Sequence, residues 1–142
     1  NVLSALWCGR HTSLALTRMS FLLQLNCLIQ FVEEQGIVVN LAPLGELEGH
    51  VDLGLPFNIN GCAYIQDRLI DLYCSDVETD AEGLVCCLVH EYGHIKGCTE
   101  IEELAWEVGI KSVPKYLIPE SIETFREICL KDYNVVDEIV KK

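Results

Sequence analysis

The chain has 142 residues, which fits one compact domain and leaves little room for a second. Half of it is hydrophobic and 23% is charged, a balance that argues against disorder and supplies a core without staples. Arg10 and Arg18 precede the first acid, Glu33, so residues 1–32 carry +2, while the other 8 basic and all 22 acidic residues give the remainder −14. So acidic a surface repels phosphate backbones and points to a basic or neutral partner, not to direct nucleic-acid binding.

In chain order, Met19 is the only methionine and the chain starts at Asn1, so residues 1–18 read as a non-native or poorly ordered extension, as upstream sequence or as part of a fragment, with a single domain expected over 1–142. Leu22, Leu25, Leu28, Ile29 and Val32 give residues 19–34 the one-sided spacing of an amphipathic helix, with Gly36 as its stop. Met19 to Val32 is also the most apolar stretch. Gln24, Asn26 and Gln30 interrupt it, and it falls short of the ~20 apolar residues a membrane span needs. No long apolar run ends in small residues, so no secretory leader is expected.

Ile37-Val38-Val39 reads as a short buried strand, and the glycines and prolines of 41–61 make that stretch loop-rich. Ala63–Gln66 and Leu69–Cys74 read as two strands around a turn at Asp67-Arg68. Thr79-Asp80-Ala81-Glu82 has the spacing of a capping box, predicting a helix to about Lys96 with Gly97 as its stop. Thr99-Glu100-Ile101-Glu102 repeats that spacing before a second helix, which Pro114 ends near Ser112. After Pro119, the residues Ile122, Phe125, Ile128 and Cys129 mark a third helix, with a short terminal one after Asn134. Helix, strands, then helices is the order of an α+β fold. The eight cysteines include adjacent Cys86 and Cys87, sit partly in apolar periodic segments and form no C-x-x-C, so reduced thiols and a cytoplasmic location are expected.

His90-Glu91-Tyr92-Gly93-His94 is an H-E-x-x-H motif inside a helical segment. Residues i and i+4 share one helical face about 6 Å apart along the axis, so two imidazoles can converge on one zinc ion. Glu91, about 100° further round the helix, can take a water's proton as general base. A third protein ligand would leave the fourth position open, as in catalytic zinc sites. Cys98 continues the four-residue series, but eight residues of helix put it about 12 Å from His90 unless the helix breaks at Gly97. The next helix is the better source. With Ile101 at zero, Glu102 lies at about 100°, bordering the apolar face of Leu104 and Ala105, and Glu103 at about 200°, facing away with Glu107. A capping role competes for Glu102.

On these residues the segment Gly36–Pro119 resembles the ImmA/IrrE family of small zinc metallopeptidases. The resemblance rests on Ile37–Val39, the H-E-x-G-H helix Leu88–His94, Glu102–Ala105 with its Glu-x-x-Ala pattern, and Tyr116-Leu117-Ile118-Pro119. It implies a zincin-like fold, with a small mixed or antiparallel sheet packed against the H-E-x-x-H helix and further helices after it. It also implies zinc on His90, His94 and Glu102, with Glu91 as the catalytic base. Leu104-Ala105-Trp106-Glu107 departs from the family, whose second helix commonly carries a more basic or Asn-containing run here. Zincins of the anti-restriction ArdC type carry a Glu-Glu-Leu run after their motif, so Glu103 stays open as the third ligand. Many relatives cleave a helix-turn-helix repressor of a phage or mobile element, which sets a protein or peptide substrate as the expected partner.

The reading is thus a zinc endopeptidase. Its rivals are a non-enzymatic zincin-fold interaction module and a zinc hydrolase of non-peptide amides. His11 and His50 lack ligand spacing and read as surface or structural residues. Tyr64, Tyr73 and Tyr116 are candidate oxyanion donors, though each also suits a half-buried structural place. If it lies at a sheet edge, either strand Ala63–Gln66 or Leu69–Cys74 can pair with an extended peptide. Trp106 is expected to pack under its helix, and Gly93 to mark a close approach, since glycine costs ~1 kcal/mol in helix propensity.

Overall fold

A computed structural model describes residues 20–44 and 59–141. The expectations for residues 1–18, His11, His50 and most of the 41–61 loop lie outside these. The described residues form a mixed α+β arrangement of four helices and one three-stranded sheet. No helix among them is long and apolar enough to cross a membrane.

Helix α1 (Phe21–Glu33) starts where the Ser20 hydroxyl accepts from the Leu23 amide at 3.1 Å, and it buries Leu25, Leu28 and Val32. Gly36, at φ +79°, makes the left-handed exit that the sequence anticipates there. Strand β1 (Val38–Pro43) follows. It starts later and runs further than expected: Ile37 is buried ahead of it, whereas Val38 is 54% exposed. Pro43 is tolerated because, among the described residues, β1 is an edge strand, where a missing N–H costs no ladder bond.

Strand β2 (Ile59–Tyr64) lies several residues earlier than the Ala63–Gln66 expected, and a turn over 65–68 leads into β3 (Leu69–Cys74). The order is β1-β3-β2, with β1 parallel and β2 antiparallel to the central β3. Ile70, Leu72 and Cys74 point from β3 into the core beside Ile59.

Helix α2 (Val77–Lys96) crosses this face. It begins two residues before Thr79, because the Asp76 carboxylate is the actual N-cap, accepting from the Glu78 amide at 3.0 Å. Glu82 does not close a capping box; it accepts from the Ser121 hydroxyl at 2.7 Å. From Leu84 to Ile95 every residue of α2 is buried, as a helix packed on all sides must be. The sheet and α1 lie against it, together with α3 (Glu102–Ser112) and α4 (Ile122–Lys141). A short 3-10 turn, Lys115–Leu117, connects α3 to α4. Helix α4 continues through Asn134, so there is no separate terminal helix. None of the seven described cysteines is joined in a disulfide.

Helices α2 and α3 meet closely. A Cβ on Gly93 would lie 1.8 Å from the Ala105 carbonyl oxygen, and one on Gly109 2.2 Å from that of Val89. The expectation for Gly93 holds, and Gly109 is its reciprocal partner. This contact brings the first turn of α3 alongside the H-E-x-x-H residues.

Candidate metal centre

His90, Glu91 and His94 occupy adjacent turns of α2 and are 3%, 6% and 7% exposed, which is rare for three ionisable residues without mutual partners. Their ligand atoms lie within 4.8 Å of one another, and the group could hold a metal ion. Glu102, in the first turn of α3, completes the cluster. Its Oε2 is 2.9 Å from His90 Nε2, and its Oε1 is 3.3 Å from His94 Nε2.

Capping does not occupy Glu102. The N-cap of α3 is Ile101, which has no side-chain cap, and Thr99 instead accepts from the Ile101 amide. The Glu102 carboxylate is therefore available to the imidazoles. Glu103 is exposed and points elsewhere as expected, but the buried face of α3 is Ala105, Trp106 and Gly109, while Ile101 and Leu104, which were expected to mark it, are exposed. Helix α2 does end before Gly97, so Cys98 is displaced from the helical series. Its backbone is left-handed (φ +48°), and its exposed side chain lines the cleft outside the metal-capable group.

The second nitrogen of each imidazole is also held. His94 Nδ1 is 2.7 Å from the Thr99 carbonyl oxygen, which can only accept, so Nδ1 carries the proton and Nε2 is left for a ligand role. His90 Nδ1 faces Glu91 Oε1 at 3.3 Å. Glu91 thus stands at the opposite edge of the His90 ring from Glu102. A tetrahedral zinc with bonds of about 2.0–2.1 Å sets its donors about 3.3 Å apart. The Nε2–carboxylate separations of 2.9 and 3.3 Å are close to that spacing.

No protein-family model, curated protein or solved structure matches this chain.

Burial disfavours a charged His90, yet the bonds to Glu102 and Glu91 outweigh it and lift the pKa to about 9. His94 shifts the same way: burial opposes the charge, and Glu102 and the Thr99 carbonyl more than compensate. Burial would raise Glu102, but the two imidazoles pull it down to about 2. In the metal-free protein, His90 then contributes stability that is full below its unfolded value of 6.5 and is lost as pH rises through about 9. Glu102 contributes above 4.5 and loses its contribution as pH falls towards about 2. The thermal midpoint of chelator-treated protein should accordingly be highest between about pH 4.5 and 6.5 and decline towards 9, with divalent-metal affinity rising over the upper interval as protons leave. A midpoint that is flat from 6.5 to 9 would contradict this assignment.

A cleft of about 720 Å³ opens over the cluster, with β2 on one side and the start of α3 on the other. Glu91, His94 and Glu102 line it, whereas His90 sits behind them. Gly61 of β2 passes directly over Glu91; a Cβ there would lie 2.5 Å from Cys87 Sγ and 3.0 Å from Glu91 Cγ. Among the described residues β2 is an edge strand, so it meets the condition for pairing with an extended chain. Leu69–Cys74 is central and does not. Of the three tyrosines only Tyr64 lines the cleft, and its bond with Cys62 pushes its pKa up to about 12, so its hydroxyl stays protonated.

Sequence reasoning placed Trp106 under its helix but not its partner. The indole is fully buried and lies flat on the His90 ring, with centroids 4.5 Å apart and planes 10° from parallel. Phe125 of α4 backs it at 6.1 Å. Trp106 sits four residues after Glu102, so both project from one face of α3, and that i, i+4 spacing was the available signal. The Trp106 Nε1–H is buried with no acceptor among the described residues, a cost of about 1–3 kcal/mol.

Proposed function

We propose that this chain is a zinc-dependent endopeptidase of the zincin-like kind that the ImmA/IrrE resemblance implies. One observation carries the reading: the Glu102 carboxylate meets both Nε2 atoms, whereas the Glu91 carboxylate meets the His90 ring on its Nδ1 side and lines the cleft. This division of labour is what a three-ligand centre with a separate base requires. His90, His94 and Glu102 would hold the ion. Zinc bound there supplies Lewis acidity, making water acidic near neutral pH and polarising a carbonyl.

Glu91 accepts a proton from the attacking water and returns it to the departing amine. The Thr99 carbonyl and Glu91 keep each imidazole in the tautomer that presents Nε2. Strand β2 offers its free edge to an extended backbone, and Tyr64 is the hydroxyl available from the cleft wall. A protein substrate with basic character suits the acidic chain, and a helix-turn-helix repressor is the form that the resemblance suggests. The setting we propose is cytoplasmic, away from membranes and without direct nucleic-acid contact.

The reading is tested by incubating zinc-loaded protein with a peptide library and scoring fragments by mass spectrometry, with chelated and zinc-restored controls. Fragments that vanish on chelation and return with zinc are expected. Stoichiometric metal without fragments would favour an interaction module, and no stoichiometric transition metal after reconstitution would remove zinc altogether. Glu102→Ala should weaken zinc by more than about a hundredfold, since losing an outer partner of a ligand alone costs 10–100-fold. Glu103→Ala, a surface change, should alter it by less than about twofold. Competition against a chromogenic chelator measures both, and the reverse ranking would transfer the ligand role to Glu103.

A further inference from the structure

We infer that Trp106 is a positioning residue that sets the plane of the His90 imidazole for metal binding, an inference that rests on the metal-centre reading above. Helix α3 grips His90 twice from one face. Glu102 meets the ring edge at Nε2, 2.9 Å away, and Trp106, one turn later, covers the ring face at 4.5 Å with the planes 10° apart. An imidazole attached through Cβ can swing about its second side-chain torsion, which is broad for histidine. The edge contacts, Glu102 at Nε2 and Glu91 at Nδ1, still leave the ring free to tilt, because a carboxylate accepts over a wide range of directions. A flat indole against the face prevents that tilt.

The stack is itself held. Phe125 lies behind the indole at 6.1 Å, so α4 supports α3 and α3 supports the ligand. Trp106 and His90 are 0% and 3% exposed, so neither ring can leave the stack for solvent. The buried indole N–H has no acceptor among the described residues, and a phenyl or aliphatic side chain would avoid that penalty. What the indole contributes is therefore its broad electron-rich face, not its polar atom. Such a face suits an imidazole that becomes electron-poor when its nitrogen binds a cation.

The test compares wild type, Trp106→Leu and Trp106→Phe as full chains, each stripped of metal and titrated with Zn²⁺ and with Co²⁺. Leucine should weaken Zn²⁺ by about tenfold or more, the range for lost outer support of a ligand, and phenylalanine should restore most of it. The visible Co²⁺ spectrum of the leucine variant should shift and broaden, reporting altered ligand geometry whatever the change in stability. Circular dichroism and cooperative unfolding without metal confirm that each chain folds. Leucine and phenylalanine variants that bind both ions like wild type, with the Co²⁺ spectrum unchanged, would overturn the positioning role while leaving the centre intact. A wild type that binds neither ion would overturn the centre and this inference together. If leucine fails to fold, Trp106→Met, which also lacks a flat face, decides: a shifted Co²⁺ spectrum supports the role, and an unchanged spectrum with unchanged affinity overturns it.

Discussion

Glu91→Gln should leave zinc bound and lower turnover by about two to four orders of magnitude. The substitution is nearly isosteric, so the side chain still fits beneath Gly61, where a Cβ would crowd its Cγ at 3.0 Å. An amide oxygen can accept from His90 Nδ1 as the carboxylate does across 3.3 Å, so the imidazole keeps the tautomer that presents Nε2. What glutamine lacks is the capacity to take a proton from water. General bases contribute about 10²–10⁴-fold, and turnover should fall by that factor while zinc affinity changes by less than about threefold. Chelator competition and single-peptide kinetics on the same preparation separate the two effects. Turnover near the wild-type rate would refute the assignment of the base.

Gly93→Ala is expected to damage both stability and metal affinity. The new Cβ would sit 1.8 Å from the Ala105 carbonyl oxygen, 2.7 Å from its carbon and 3.0 Å from the Gly109 nitrogen. These are backbone atoms of α3, which cannot rotate aside, so the two helices must separate by more than the space a side-chain adjustment supplies. Overpacking typically costs about 1–3 kcal/mol, a clash with rigid backbone belongs at the upper end, and the gain in helix propensity returns only ~1 kcal/mol. A net loss of about 2 kcal/mol in metal-free protein is expected by denaturant unfolding. Because α3 carries Glu102, its displacement should also weaken zinc. Gly83→Ala on the same helix is the control: its Cβ meets the Ile59 Cδ1 methyl at 2.7 Å, the end of a flexible side chain. It should stay within about 1 kcal/mol of wild type and bind zinc normally. Equal behaviour of the two variants would show that the close crossing is not what places Glu102.

Local periodicity made part of this legible. The spacing of His90 and His94 speaks for itself on a helix, and the angular position of Glu102 beside Ala105 follows from 100° per residue. The helix stops at Gly36 and Gly97 were legible for the same reason, being properties of a few neighbouring residues. What escaped needed partners distant in sequence. Thr79 and Glu82 had the spacing of a capping box, but Asp76 lies closer to the first free amides and Ser121, from another helix, takes Glu82. The Pro43 end of β1 and the Gly61 part of β2 looked like loop because those residues disfavour strands in general. Here one sits on an edge that is unpaired among the described residues, and the other passes so close to Cys87 and Glu91 that a Cβ would crowd their side chains. Asn134 suggested a break in α4 that a residue without proline's or glycine's backbone effect does not enforce. The facing of Trp106 and His90 depends on the crossing of two helices, which no local pattern encodes.

The connection between α2 and α3 has a consequence for how such a centre can vary. The Thr99 amide closes on the His94 carbonyl at 3.0 Å, and the Thr99 carbonyl meets the His94 ring at 2.7 Å, before the chain turns into Glu102. Seven residues separate His94 from Glu102, and they fasten one imidazole while delivering the carboxylate opposite it. Adding or deleting one residue there would rotate Glu102 away and detach the Thr99 carbonyl in a single event. Descendants of this chain can therefore diverge freely in wording along that stretch but not in its length.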